Sequence, residues 1–132
     1  MKLTAILPLI LLFSSCQMNP TSKTQNIFGK WKIVSILNKE VSTKLNPYII
    51  INEDLSVKGN NGCNNFFANL IETKGIYTFS KMGATKRLCD DQANMMEFMF
   101  NKITSSTKNI IIKDNMLNII SKANETIVAT RD

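Results

Sequence analysis

Histidine is absent from this chain of 132 residues, which removes the commonest general base and the commonest metal ligand together. Cysteine is scarce. The three present, Cys16, Cys63 and Cys89, form no CxxC pair, so the spacing of a zinc site is missing. No apolar run reaches the roughly 20 residues that a spanning helix needs. There is no repeat with a period of about 20–50 residues and no low-complexity tract. Serine, threonine and cysteine nucleophiles would all lack a histidine to activate them. The acidic pairs Glu53-Asp54 and Asp90-Asp91 are adjacent in sequence, which suits turns and helix caps better than two carboxylates facing a substrate. Neither catalysis nor a cofactor is expected. A soft Cu(I) site among the 7 methionines is conceivable, but core filling explains them with fewer assumptions.

What is present is globular: 44% hydrophobic and 20% charged residues, with a net charge of +6 and a length suited to one domain. Residues 1–15 stand apart. Lys2 precedes the apolar stretch LTAILPLILLF (3–13), and Phe13-Ser14-Ser15-Cys16 resembles the lipobox of bacterial lipoproteins. That resemblance implies cleavage before Cys16 and acylation of its thiol and amino group, palmitate included. Several acyl chains hold a protein to a membrane where one would be marginal. Gln17, not an aspartate, points to the outer membrane, with the domain facing the periplasm. An ordinary secretory signal with a chance cysteine is the alternative. Residues 16–26 are polar, contain Pro20 and lack apolar periodicity, so they form a flexible tether. With Cys16 acylated, Cys63 and Cys89 remain, an even number in an exported protein, and a disulfide is expected. Such a bond closes a loop of roughly 26 residues and contributes on the order of 3–4 kcal/mol. Two buried free thiols are the alternative.

From residue 27 to 132 the chain reads as one domain. Phe28–Ile36 is β-branched and aromatic, a strand with Trp31 and Ile33 on the core face. Residues 38–45 form a loop. Pro47–Ile51 and Leu55–Gly59 make a hairpin about Asn52-Glu53-Asp54. The Asn run at 60–65 and Gly62 predict a turn in left-handed geometry. Strands at 66–71 and 75–79 follow, then an aperiodic stretch from Lys81 to Asp90. Capped by Asp90 or Asp91, a helix carries Met95, Met96, Met99, Phe100 and Ile103 as its apolar stripe. Such a stripe either closes a core or offers a flexible binding surface. Asn109–Lys113 and Met116–Ile120 make a hairpin about Asp114-Asn115, and Glu125–Thr130 is the last strand. The fold class is α+β: a strongly curved antiparallel sheet or incomplete barrel of about eight strands, with the one helix over its open side.

Three motifs in order carry a family resemblance: Gly29-Lys30-Trp31 on the first strand, Gly62-Cys63-Asn64 followed by Phe66, and Thr85 four residues before Cys89 and a helix. Together they resemble the META domain, the family of the HslJ heat-shock protein, over about Phe28 to Thr130. The resemblance implies a small sheet wrapped on one helix, no catalytic residues, and envelope or stress roles. It also implies likeness to pilotin-type lipoproteins, which hold a peptide segment in a groove. Lys86-Arg87 departs from the small or methionine residues usual there. With Lys81 they form a candidate contact for anionic headgroups, lipopolysaccharide or peptidoglycan, the alternative being a solvated face. Nucleic acid is not an expected partner. The chain is therefore expected to be a monomeric, lipid-anchored, chaperone-like accessory that presents a sheet edge or groove to an envelope protein or peptide. The alternative is a carrier or sensor of a small apolar molecule between helix and sheet.

Overall fold

The computed structural model describes residues 26–132. Residues 1–15, expected to be a signal, Cys16 and the expected tether up to residue 25 lie outside the described residues. The elements are β1 (Gly29–Ile36), β2 (Lys39–Glu40), β3 (Tyr48–Ile51), β4 (Ser56–Asn60), β5 (Asn65–Thr73) and β6 (Ile76–Phe79), followed by β7 (Gly83–Ala84), α1 (Asp91–Ser105), β8 (Thr107–Lys113), β9 (Met116–Ser121) and β10 (Thr126–Arg131). Eight strands follow one another in the order β6-β5-β4-β3-β1-β10-β9-β8. Every pairing is antiparallel. The end strands β6 and β8 come to lie side by side, so the curved sheet is a nearly closed barrel. Closure of this kind leaves little exposed edge.

Alternation along the strands fills the interior. Trp31 and Ile33 of β1 are each 1% exposed, and Phe66, Ala68 and Leu70 of β5 point inward while Phe67 and Ile71 point out. A register shift against β10 between Ile33 and Ser35 breaks the period, which lets Ile36 turn inward as well. The expected two-residue turn at Asp114-Asn115 is present, both residues having positive φ (52° and 62°). A second such turn, at Leu37 and Asn38 (54° and 61°), folds β2 back onto β1. The loop expected there contains this short strand, and its turn has no sequence signal because Leu37-Asn38 lacks the glycine that usually marks such turns.

Asp90 caps α1, its carboxylate accepting from Ala93 N at 2.9 Å. Its buried residues are Ala93, Met96, Phe100, Ile103 and Thr104. Met95, expected in the apolar stripe, is 58% exposed. Each residue turns a helix by about 100°, which carries Met95 around the side of the face centred between Met96 and Phe100. Phe100 meets Phe66 at 4.8 Å between ring centroids, tilted by 44°. Each large side chain so buried contributes roughly 1.5–3 kcal/mol over its exposed state.

The barrel has two unlike ends. Antiparallel order brings the β3–β4, β5–β6 and β8–β9 turns to one end, together with Asn26 and Asp132. The β1–β2 turn, the β4–β5 loop and the β9–β10 turn lie at the other. Helix α1 spans that second mouth, with Met96 beside Gly62 of the β4–β5 loop and Lys102 paired to Glu125 of the β9–β10 turn at 2.6 Å.

Candidate functional site

Three features bear on function: a polar staple beside the helix, a clamp where the chain enters the barrel, and a cleft at the helix-capped end. The staple is built from the loop 60–65. Asn61, fully buried, folds its side chain back so that Oδ1 accepts from Cys63 N at 3.0 Å and Asn64 N at 2.8 Å. Gly62 has φ +99°, and a Cβ there would lie 2.9 Å from Met96 Sδ, so only glycine fits beneath the helix. Of the Asn run, no member takes a positive φ. The expected left-handed geometry falls on Gly62 alone, and the asparagines act through their side chains.

Asn64 is the hub. Its Oδ1 accepts from Thr85 Oγ1 at 3.0 Å and from Arg87 N at 2.6 Å. Its Nδ2 donates to Arg87 O at 3.0 Å and to Glu97 Oε1 at 2.9 Å. Both donors and both acceptors of the amide are thus used. Glu97 also accepts from Asn61 Nδ2 at 3.1 Å, which ties the loop to the helix. Cys63 and Cys89 form a disulfide with Cα atoms 5.9 Å apart. Asn94 on α1 holds Cys89 from both sides, accepting from its N–H at 3.1 Å and donating to its carbonyl at 2.9 Å. The three motif positions Asn64, Thr85 and Cys89 therefore meet in one place, and Phe66 leads from it into the core.

Gly29 and Trp31 belong to the clamp. Trp31 Nε1 donates to Ile27 O at 2.8 Å, and the Arg131 guanidinium lies 4.3 Å from the Trp31 ring centroid. Arg131 also donates to Phe28 O at 2.7 Å and Asn26 O at 2.8 Å. Gly29, at φ +115°, would put a Cβ 2.9 Å from Arg131 Nη1.

The basic trio is divided. Lys81 lines a hollow with Asn101 and Ser105 near the end of α1, whereas Lys86 and Arg87 lie beside Asn94 and Glu97 near its start. Arg87 is already engaged, its Nη2 donating to Cys63 O at 2.9 Å. Sequence reasoning missed Asn61, Asn94, Glu97 and Arg131. Glu97 alone carried a signal: an acidic side chain between the two methionines Met96 and Met99 needs a polar partner.

Between α1 and the strap from Lys39 to Leu45 runs an open cleft of about 320 Å³. Ile36, Val41, Leu45, Met95, Met96 and Met99 form its apolar floor and walls, and Lys39, Glu40, Ser42 and Gln92 line it as polar side chains. Phe98 (66% exposed) and Leu88 (89%) are further apolar side chains in water on α1 and just before it. No helix among the described residues is long and apolar enough to cross a membrane, and no group of three or more His, Cys, Asp or Glu among them could hold a metal.

Two NMR structures share this fold. One is 20% identical, with a TM-score of 0.64 over 77% of this chain and 87% of its own. The other, of a protein from Burkholderia xenovorans, is 13% identical, also with a TM-score of 0.64, over 79% of this chain and 81% of its own. No curated protein gave a significant match. Residues 25–132, the barrel, staple and clamp together, match the META domain. The chain belongs to the META domain family, a family of envelope-associated domains that is not a known enzyme family.

Proposed function

We propose that this protein is a non-catalytic accessory of the bacterial envelope, anchored through acylated Cys16, whose META domain receives an envelope protein or peptide in the cleft between α1 and the Lys39–Leu45 strap. The observation that carries the reading is the cleft's chemistry. Methionines 95, 96 and 99 are unbranched and polarisable, so they adapt to partners of varied shape. An open apolar cleft with exposed Met95 beside it is the kind of surface that an extended or helical segment covers. A sheet edge is the weaker candidate, because β6 and β8 lie against one another.

A carrier of a small apolar molecule would need room inside the barrel. Trp31 and Phe100 are 1% and 0% exposed and Met96 is 4% exposed, so the interior beneath α1 is packed with side chains, and such a molecule would be left only the open cleft beside Ile36 and Met96. Crosslinking in intact envelopes, followed by pull-down of the acylated protein, separates the two readings. Recovery of one stoichiometric protein partner supports the accessory. Co-purifying lipid with no protein partner would replace it with the carrier.

A further inference from the structure

Arg131 and Trp31 fix where the chain leaves the domain, and that point has consequences for how an anchored molecule stands. Asn26 is held at the barrel end carrying the three hairpin turns, opposite α1. We propose that this turn-bearing end rests on the lipid headgroups, and that α1 with its cleft faces away from the leaflet that holds Cys16. The inference rests on the anchored reading above and goes beyond it by assigning each end a neighbour.

Lengths favour this orientation. Strand β1, with 8 residues, is about 26 Å long, and a helix laid across its far end adds about 10 Å. Only residues 17–25 separate Cys16 from Asn26. The ten residue steps from Cys16 to Asn26 span about 33–36 Å only when fully extended, whereas a coil of the same length averages roughly 16–19 Å. To lay α1 on the same leaflet the connection would have to run back along the whole body. Charge does not overcome this. Lys39, Lys44, Lys86 and Lys122 are exposed at the helix end and would be drawn to anionic lipid, each by about 1 kcal/mol. That attraction decays within a screening length of about 8 Å at physiological salt, far less than the body's height. The turn-bearing end carries Glu53, Asp54, Glu72, Asp114 and Asp132 against Lys30, Lys74, Lys113 and Arg131, a nearly balanced charge that meets the headgroups without strong adhesion, while Glu40, Asp90 and Asp91 offset part of the lysine charge at the helix end. The basic side chains of the far end are thereby left for partners in the aqueous space.

The test uses the full acylated chain in phosphatidylethanolamine–phosphatidylglycerol vesicles carrying a headgroup-level nitroxide quencher. A fluorophore is placed at Lys74→Cys on the β5–β6 turn, or at Phe98→Cys on the outer face of α1, with Cys16→Ala as the unanchored control. Quenching at position 74 several-fold stronger than at 98 is the expected result. Equal or stronger quenching at 98, still dependent on Cys16, would overturn the orientation and leave the anchor intact. Quenching at neither position would remove the anchor, and the orientation with it.

Discussion

Asn64 shows how much of this fold is specified by a single amide. Its side-chain bonds join the β4–β5 loop, the Thr85–Arg87 segment that continues β7, and Glu97 of the helix. A buried polar group left without its partners costs about 1–3 kcal/mol. Asn64→Ala is therefore expected to lower the unfolding free energy by about 2–3 kcal/mol in urea titration. Asn64→Asp should cost at least as much, since it removes both donors and sets a carboxylate against Glu97. An Asn64→Ala loss below about 0.5 kcal/mol would mean that water replaces the amide. Gly62-Cys63-Asn64 could be found in the sequence by its composition, but the role of the asparagine could not. Its partners lie about 20 to 33 residues away, and no local period announces contacts across that distance.

The elements were legible where a local pattern ran over several residues. Strand β1, the β8–β9 hairpin and α1 announced themselves through alternation, a two-residue turn and an acidic cap. Met95 was misplaced because an apolar run of neighbouring methionines does not say which one lies at the rim of the buried face. Strand β2 was missed because Leu37-Asn38 adopts a tight turn without glycine. The Cys63–Cys89 bond ties the segment just before helix α1 to the β4–β5 loop, so oxidation adds to the packing of Met96, Phe100 and Ile103 that docks the helix. Cys89→Ala should lower stability by about 3–4 kcal/mol under oxidising conditions. With dithiothreitol present, variant and parent should show nearly the same urea midpoint. A penalty that persists in reductant would assign the effect to packing of the sulfur instead of to the covalent link.

At the scale of the whole molecule, the turn-bearing end gives folding a dependence on pH. Asp54 is held below the usual carboxylate range by the Ser56 hydroxyl and amide that donate to it, and Asp132 by the ammonium of Lys30. Folding therefore draws stability from their ionised forms above about pH 4, and this contribution is lost as pH falls through the lowered values. Lys30 is raised above 10.5 by hydrogen bonding and attraction to Asp132. Its contribution is present below that value and is lost as pH rises further. All three groups are exposed, so the expected slope in urea midpoint against pH is shallow, and Asp132→Asn should flatten part of it at both extremes. Added salt should weaken the Lys30–Asp132 part while leaving the Asp54–Ser56 part. An acid slope unchanged in Asp132→Asn would show that this pair contributes nothing.

A filled interior, a helix joined to one mouth and a methionine-walled cleft beside it together support the proposal that the outer surface meets a partner. The most direct measurement of that account is site-specific photocrosslinking in living cells, with a photoreactive residue at Met95 in the cleft or at Lys113 on the opposite end. The account predicts one discrete crosslinked protein from position 95, lost on Met99→Glu, and no comparable product from position 113. Crosslinks of equal yield from both positions, or from 113 alone, would contradict the claim that the cleft is where this protein meets its partner.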